Sequence, residues 1–439
     1  MYDWVLMTRL GSGAPPAIHR ANFHALYWDI FWFGVLAGTA ISFLPIYAVR
    51  LGADPFRVGL LTSGPALVNL ILSLPAGQWL RNRDVLRTAQ VTAALNRLGY
   101  PVLVVLPWIL PPALVLELLP AVVVGMALPG VVLAISFNAM FADIVPPEWR
   151  AQVVGRRNAL LAVASTIASL AGGQLLGLLP EPLNYQVLFS IGTLGAALST
   201  WYVGRVRRPQ PFVAAAVNEE PGVRGFSRWL NRARVRDVLR LDLLRGRFGL
   251  MMLGYLFFYV AQFTAIPLQP VFWVQQLHLT DFEIGVANAL FYLTLMVGSL
   301  GLAPLAARAG TYWPMTIGAI FYGLYPLITS MAQDAWLFYV ASLLGGLVWG
   351  IAGGSLTAWL MEGVPANDRP AHMALHNVVL NLGTLTGTLA GPVLDDLFGT
   401  RDGLWFAGWI RVAAGVLIGL LARPRPTPPP AVLQGPIKP

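Results

Sequence analysis

The chain has 439 residues, of which 56% are hydrophobic and only 11% are charged. A soluble domain carries about 25% charged residues, so this composition excludes an ordinary soluble protein and indicates a chain embedded in lipid. The formal net charge of +9 does not indicate nucleic-acid binding here, because in a membrane protein Lys and Arg mark the loops that face the cytoplasm.

A membrane-spanning helix needs about 20 mainly apolar residues, and twelve segments of the chain meet that need. In chain order they lie near 23–49, 57–80, 86–110, 113–142, 153–179, 183–204, 248–274, 282–306, 312–332, 335–361, 371–397 and 403–422. The predicted organisation is a tail (1–22), a bundle of six helices (23–204), a basic linker (205–247), a second bundle of six helices (248–422) and a Pro-rich tail (423–439). The start of the chain has no cleavable signal pattern, so we expect the first helix to be retained.

The positive charges fix the predicted orientation. With the N-terminus placed in the cytoplasm, 24 Lys and Arg residues fall on the cytoplasmic side and three, Arg50, Arg57 and Arg401, fall on the other. Both termini are therefore predicted to be cytoplasmic. Within the linker, residues 226–245 interleave Trp, Leu and Val with many Arg residues, a pattern typical of an amphipathic helix on an anionic membrane surface.

One stretch of the sequence occurs twice, at residues 142–179 and 361–398, with an offset of 219. Each copy has an acid at the end of an apolar helix, then a turn that contains Pro, an Arg, and a helix rich in small residues. The acids are Asp143 and Glu362, and the arginines are Arg150 and Arg369. Such a duplication predicts two similar halves, as in many transporters.

Six plus six helices, cytoplasmic termini, a basic central linker and the repeated acid-x6-Arg turns resemble the major facilitator superfamily over nearly the whole chain. This resemblance implies an all-α membrane protein with 12 transmembrane helices in two pseudo-symmetric six-helix bundles, which rock about a site between them. It also implies that Asp143 with Arg150, and Glu362 with Arg369, are gate charges that pair when the cytoplasmic side closes. The chain departs from the family in the loop between helices 2 and 3, where Arg81 stands in place of the usual Asp.

Two kinds of charge lie inside the predicted helices. Asp29 is the acid well inside a span, which costs about 2.5–3.5 kcal/mol on insertion scales, so it should face the protein interior. It is either a proton-coupling site or a fixed charge that pairs with Arg97. Arg411 lies in helix 12, which is peripheral in this family, so a structural role is expected for it, although anion binding is an alternative.

Helices 1, 4, 7 and 10 line the central cavity in the family that the chain resembles. The polar and aromatic residues expected there are Asn138, Tyr255, Gln262, Thr264, Asn288 and Trp349. The competing interpretation of each is a hydrogen bond between helices, worth about 0.6 kcal/mol.

The sequence predicts a transporter of the cytoplasmic membrane and not an enzyme, since it has no phosphate loop and no hydrolytic triad. Proton-coupled efflux of an amphipathic or drug-like compound is the first hypothesis, and uptake of a neutral solute such as a sugar is the second. A non-transporting receptor or assembly protein on the same scaffold is a third. The expected partners are a small solute, protons and the lipid bilayer, with no nucleic acid. No cofactor and no metal are expected, and we expect a monomer.

Overall fold

The computed structural model of the chain describes residues 17–80, 83–208, 241–364 and 368–423. The N-terminal tail up to residue 16, Arg81, the amphipathic linker segment up to residue 240 and the Pro-rich tail from residue 424 lie outside the described residues. Within these ranges the regular secondary structure is helical, and the predicted all-α membrane protein is confirmed.

The first half has six helical segments, α1 to α6. The first, α1, joins Ala17–Leu36 and Ser42–Arg50 through a π-helical turn at Ala37–Ile41. The third, α3, is interrupted at Leu98 and consists of Val85–Arg97 and Gly99–Ile109. The other segments are α2 (Pro55–Leu80), α4 (Pro112–Ile144), α5 (Pro147–Leu178) and α6 (Leu183–Arg205).

The second half repeats this plan with α7 to α12. The α7 segment consists of Arg247–Thr264, Leu268–Val271 and a π-helical turn at Phe272–Gln276. The α9 segment is divided into Tyr312–Phe321 and Leu324–Met331. The other segments are α8 (Asp281–Ala309), α10 (Ala335–Glu362), α11 (Arg369–Phe398) and α12 (Thr400–Leu421).

Ten of these twelve segments are long and apolar enough, within the described ranges, to cross a membrane. The other two are α9 and α11. The α9 segment bends at Gly323, where a Cβ would lie 2.9 Å from the carbonyl oxygen of Gly408 in α12, so the two helices meet closely at that point. The α11 segment carries two His, two Asn and several Thr residues, which lower its hydropathy.

An even number of crossings brings the start of α1 and the end of α12 to the same end of the molecule. There, Arg247 donates a hydrogen bond of 2.8 Å to the carbonyl of Arg423. We call this the proximal end, and the end that holds residues 50–55 and 276–281 the distal end.

The two halves share one apolar cluster at the distal end. It combines Phe43 and Ile46 of α1 and Val58 of α2 with Leu268 and Phe272 of α7, all buried. This cluster removes apolar surface of both halves from water, so it holds the halves together at the distal end.

At the proximal end each half has its own cluster. Phe23, Leu26, Met140 and Ile144 belong to the cluster of the first half. The corresponding cluster of the second half contains Met252, Tyr255, Leu360 and Ile418. Among the described residues neither buried cluster includes a residue of the other half, so the halves are less closely joined here than at the distal end.

Candidate functional site

A cavity of about 210 Å³ lies inside the second half, near the middle of the helices that surround it. Its polar lining comes from α7, α8 and α12 and consists of Gln262, Gln269, Asn288 and Arg411. Ligand sites combine a mainly apolar wall with a few polar groups of this kind, which makes the cavity the candidate substrate site.

The wall of the cavity is aromatic. It consists of Trp273, Phe291, Tyr292, Tyr322 and Tyr325. The rings of Tyr322 and Tyr325 are stacked, with planes 9° apart and centroids at 6.4 Å. Trp349 of α10 stacks on Tyr322 with centroids at 4.8 Å and so supports the wall. These contacts fix the rings, because large planar side chains in contact have few alternative rotamers.

Arg411 is the charged group of this cavity. Its side chain is 1% exposed, and its Nη2 donates a hydrogen bond to the backbone carbonyl of Gln262. Its guanidinium carbon lies 4.7 Å from the centre of the Tyr322 ring. The Nε and Nη1 atoms have no hydrogen-bond partner in the described structure, and no ion pair of Arg411 is found there. Arg411 thus lies against the cavity, and both its expected structural role and the alternative of anion binding stay predictions.

Two further polar atoms of the lining are buried without a partner among the described residues, the side-chain oxygen Oε1 of Gln262 and the indole nitrogen Nε1 of Trp273. A buried polar atom that makes no hydrogen bond costs about 1–3 kcal/mol. These unpartnered atoms, one acceptor and two kinds of donor, thus belong to residues that line a single small cavity.

A hydrogen bond joins one residue of the cavity wall to the first half. The hydroxyl of Tyr292 lies 3.2 Å from Oγ of Ser42, just after the π-helical turn of α1. Ser42 also donates to the carbonyl of Ala37 at 2.7 Å. A change in how the halves pack would therefore alter the wall of the cavity at Tyr292.

The other predicted cavity residues are spread more widely. Gln262 and Asn288 line the cavity, and Trp349 lies behind its wall. Tyr255 is buried and donates 2.6 Å to the carbonyl of Leu356, while Thr264 donates to Val260 of its own helix. Asn138 is exposed on α4 and does not line this cavity.

Asp29 lies inside the first half and is 3% exposed. Its Oδ1 accepts a hydrogen bond of 2.5 Å from Ser199 and lies 3.8 Å from Nη2 of Arg97. Its Oδ2 lies 3.4 Å from Nη2 of Arg157. One carboxylate thus serves two guanidinium groups, and α1, α3, α5 and α6 meet at this cluster.

Arg157 is a partner of Asp29 that the sequence did not predict. Its expected place is the cytoplasmic surface if α5 begins at residue 153, whereas the helix begins at Pro147 and carries Arg157 inside. There it is 9% exposed, lies over the ring of Phe137 at 4.9 Å and donates to the carbonyl of Leu26. The sequence did contain an indication of this earlier start at Pro147, since Pro is favoured at the first position of a helix.

The expected gate charges at the proximal end have other partners in this conformation. Arg150 donates to the carbonyls of Ala142 and Val145 at 2.8 and 3.0 Å, at the C-terminus of α4. Asp143 pairs with Arg208 at 3.0 Å. Arg208 also lies 3.2 Å from Asp84, the N-cap of α3.

In the second half, Glu362 accepts a hydrogen bond of 2.7 Å from the hydroxyl of Thr311, at the start of α9. Arg369 begins α11, and its side chain lies outside the described atoms. The structure therefore has the repeated acid at the end of both α4 and α10, where each acid contacts a neighbouring segment of its own half.

At the distal end an ion pair joins the halves. Nη2 of Arg50 lies 3.1 Å from Oδ1 of Asp281 and donates 2.7 Å to the carbonyl of Leu279. This pair could not be predicted, because nothing in either loop indicates that residues 231 positions apart meet. The sequence indicated only that Arg50 is one of the three positive charges expected on the side opposite the cytoplasm.

Helices α5 and α8 cross closely near this ion pair. A Cβ on Gly173 would lie 2.8 Å from the carbonyl oxygen of Asp281 and 3.0 Å from Cα of Gly285. A Cβ on Gly285 would lie 2.7 Å from the carbonyl oxygen of Ser169. Only glycine permits this approach of two backbones, so the α5 helix, which is rich in small residues, contacts α8 of the other half closely here.

Comparison with known proteins gives a family match for the second half of the chain. The model of the Major Facilitator Superfamily matches residues 251–437. An uncharacterized MFS-type transporter of Methanocaldococcus jannaschii is 21% identical over 145 residues, which cover 33% of this chain and 38% of that protein. The membrane sensor protein UhpC of Escherichia coli is 26% identical over 148 residues, or 33% of each chain. The alignments thus span between a third and two fifths of these relatives' length.

Solved structures are similar over most of the chain. The nucleoside transporter NupG superposes with a TM-score of 0.66 at 11% identity, covering 91% of this chain and 99% of that one. A POT family transporter in complex with a thioalcohol-conjugated peptide gives 0.68 at 14% identity, covering 90% and 95%. The D-xylose-proton symporter gives 0.65 at 15% identity, covering 92% and 96%. At these identities the likeness is one of fold.

Proposed function

Because residues 251–437 match the model of the Major Facilitator Superfamily and one relative is named an MFS-type transporter, we propose that the chain is a member of this superfamily and moves a small solute across the cytoplasmic membrane by alternating access. This proposal is supported by a difference between the two ends: the buried cluster at the distal end includes residues of both halves, whereas in the described ranges each buried cluster at the proximal end belongs to one half. Two bundles that can part at one end while joined at the other are what such a cycle needs.

The orientation follows from the charges. Arg and Lys concentrate at the proximal end, so we assign that end to the cytoplasm. The described conformation is then the inward-facing state. In the opposite state the pair between Arg50 and Asp281 separates, and Asp143, Arg150 and Glu362 exchange their present partners as the cytoplasmic end closes. Arg369 is then the expected partner of Glu362.

Asp29 acts as a fixed charge in this proposal. Protonation of its carboxylate would leave Arg97 and Arg157 buried without an anion. Removal of one partner from a buried ion pair costs about 3–5 kcal/mol. Proton coupling through Asp29, the first alternative from the sequence, therefore carries a cost that the paired-charge alternative does not.

The volume of the cavity supports a small solute. Ligand pockets for drug-sized molecules measure about 300–1,000 Å³, and this cavity measures about 210 Å³. Efflux of a drug-like compound would require a larger volume than this cavity offers, and uptake of a neutral sugar would leave the cation of Arg411 without an anion. We therefore propose a compact polar solute.

A second candidate function is sensing. Two of the relatives, from Escherichia coli and Salmonella typhimurium, are named membrane sensor protein UhpC. A sensor would bind its solute in the same cavity and would carry out no flux.

Flux into proteoliposomes separates these functions. Labelled pools of monocarboxylates, neutral sugars and lipophilic cations are offered to the protein and to the Arg50→Cys/Asp281→Cys variant treated with a bismaleimide. The chain has no cysteine of its own, so the reagent joins only this pair. We expect one pool to enter and the cross-link to stop it, with each single-cysteine variant as the control. Binding without flux of any pool would contradict transport and favour the sensor.

A further inference from the structure

We infer that the cavity between α7, α8, α9 and α12 binds a small monocarboxylate whose anionic group is held by Arg411. This inference rests on the proposed function, since it names the class of solute that the same site takes. It starts from a charge that the described structure leaves without a counterion.

Arg411 differs from the other deeply buried arginines. Arg97 and Arg157 share the carboxylate of Asp29, within 3.8 and 3.4 Å. Arg411 is more buried than either, and no carboxylate pairs with it in the described ranges. An uncompensated charge in a low-dielectric interior is unfavourable, and buried charges are normally paired. Because Arg411 lies at the wall of the cavity, an anionic ligand in the cavity would supply the missing counterion.

The contacts that Arg411 does make use only part of its hydrogen-bonding capacity. Nη2 donates to the Gln262 carbonyl, and the Tyr322 ring receives the guanidinium face at 4.7 Å. These two contacts orient the group and leave Nε and Nη1 without acceptors. Carboxylates are the acceptors that guanidinium groups bind with short, charge-assisted hydrogen bonds.

The number of positive charges at the cavity wall indicates the charge of the anion that fits. Arg411 is the one charged residue among those that line this cavity. A monoanion neutralises it, whereas a dianionic phosphate ester would leave one negative charge in a site walled by aromatic rings. The cavity therefore favours a carboxylate over a phosphate.

The other residues of the cavity wall indicate the chemistry of the ligand apart from its carboxylate. The rings of Trp273, Tyr322 and Tyr325 offer flat apolar surface, which suits an aromatic or compact aliphatic body. The free Oε1 of Gln262 accepts a hydrogen bond from a hydroxyl or amine on that body, and the free Nε1 of Trp273 donates one to it. The volume of about 210 Å³ lies below the range of about 300–1,000 Å³ that is usual for sites of drug-sized ligands, which favours a small acid.

The test is binding of matched acids and amides to the purified full-length protein, measured by calorimetry. The probes are acetate with acetamide and benzoate with benzamide, which differ in charge and little in shape. We expect at least one acid to bind about tenfold or more tightly than its amide, because a hydrogen bond between charged partners is lost with the amide. Equal binding of acid and amide, or binding of neither acid, would overturn the inference.

Two arginine variants on α12 test whether Arg411 itself binds the acid. Arg411→Gln should weaken binding of the acid about ten- to a hundredfold and bring it to the level of the amide. Arg401→Gln is the matched control, because Arg401 also lies on α12 but donates to the carbonyls of Ser330 and Ala332, away from the cavity. An Arg411→Gln protein that binds the acid as well as wild type would overturn the inference. If that variant does not fold, the preference of wild type for acid over amide decides, together with Arg411→Lys, which should keep the preference.

Flux separates this inference from the proposed function. Preferential binding of the acid without its transport would leave the anion site standing and contradict the transporter. Transport of a neutral pool with no preference for acids would support the transporter and contradict the anion site.

Discussion

Arg50, the last residue of α1, forms an ion pair with Asp281, the first residue of α8, at 3.1 Å, and this pair connects the two halves of the molecule at the distal end. Both side chains are partly buried, with 27% and 11% exposed, so solvent screens the pair less than it would a pair at the surface. The pair lies beside the shared apolar cluster and the crossing of Gly173 with Gly285. Its separation is therefore a necessary step when the distal end opens.

Reversal of one charge of this pair should open the distal end. Arg50→Glu sets two acids against each other, and we expect the distal-open population to rise about fivefold, which corresponds to about 1 kcal/mol. The measurement is the rate at which a membrane-impermeant maleimide, added from the distal side, reacts with a Ser42→Cys thiol in oriented vesicles. The control is the exchanged pair, Arg50→Asp with Asp281→Arg, which should return the rate to that of wild type. Equal rates in the reversed and exchanged proteins would contradict the role of the pair.

Loss of the Asp29 carboxylate should destabilise the first half. Asp29→Asn leaves Arg97 and Arg157 without an anion, and we expect the free energy of unfolding to fall by about 3–5 kcal/mol. Thermal unfolding in detergent measures this loss. Asp54→Asn is the matched control, because Asp54 is exposed and pairs with Arg57 at 3.4 Å in the distal loop, where a pair contributes about 0.2–1 kcal/mol.

The same substitution also tests the proton-coupling alternative. An Asp29→Asn protein as stable as wild type that moves solute without moving protons would identify Asp29 as the proton carrier and contradict its assignment as a fixed charge.

A methyl group at the crossing of α5 and α8 should separate the two backbones. Gly173→Ala would set its Cβ 2.8 Å from the carbonyl oxygen of Asp281, and we expect a loss of about 1–3 kcal/mol, typical of overpacking. Gly177→Ala is the control one turn further along α5, where a Cβ meets nothing within 4 Å. There the gain in helix propensity should leave the protein as stable or up to about 1 kcal/mol more stable. Thermal unfolding that ranks the two variants equally would contradict a tight crossing.

Much of the fold could be predicted from the sequence, because a lipid environment demands long apolar helices and the chain repeats its own pattern. The break in α9 could not be predicted, since it depends on the close approach of Gly323 to α12. The position of Asp29 was limited to the interior by the cost of a carboxylate in lipid, but its second partner depended on where α5 begins. The direction of the Arg411 side chain was not accessible, because a helix position gives depth in the membrane and not the neighbour across the helix.

In the proposed cycle the halves close at one end as they open at the other, and distances between spin labels at both ends measure this alternation. Leu114 and Trp336 are exposed at the distal starts of α4 and α10, and Arg83 and Arg308 are exposed at the proximal end, one of each pair in each half. Because the chain has no cysteine, Leu114→Cys/Trp336→Cys and Arg83→Cys/Arg308→Cys each carry only the intended labels. We expect the Arg50→Glu substitution, added to each pair, to lengthen the distal distance and shorten the proximal one in the same fraction of molecules. Distances that stay unchanged, or that lengthen together at both ends, would contradict alternating access.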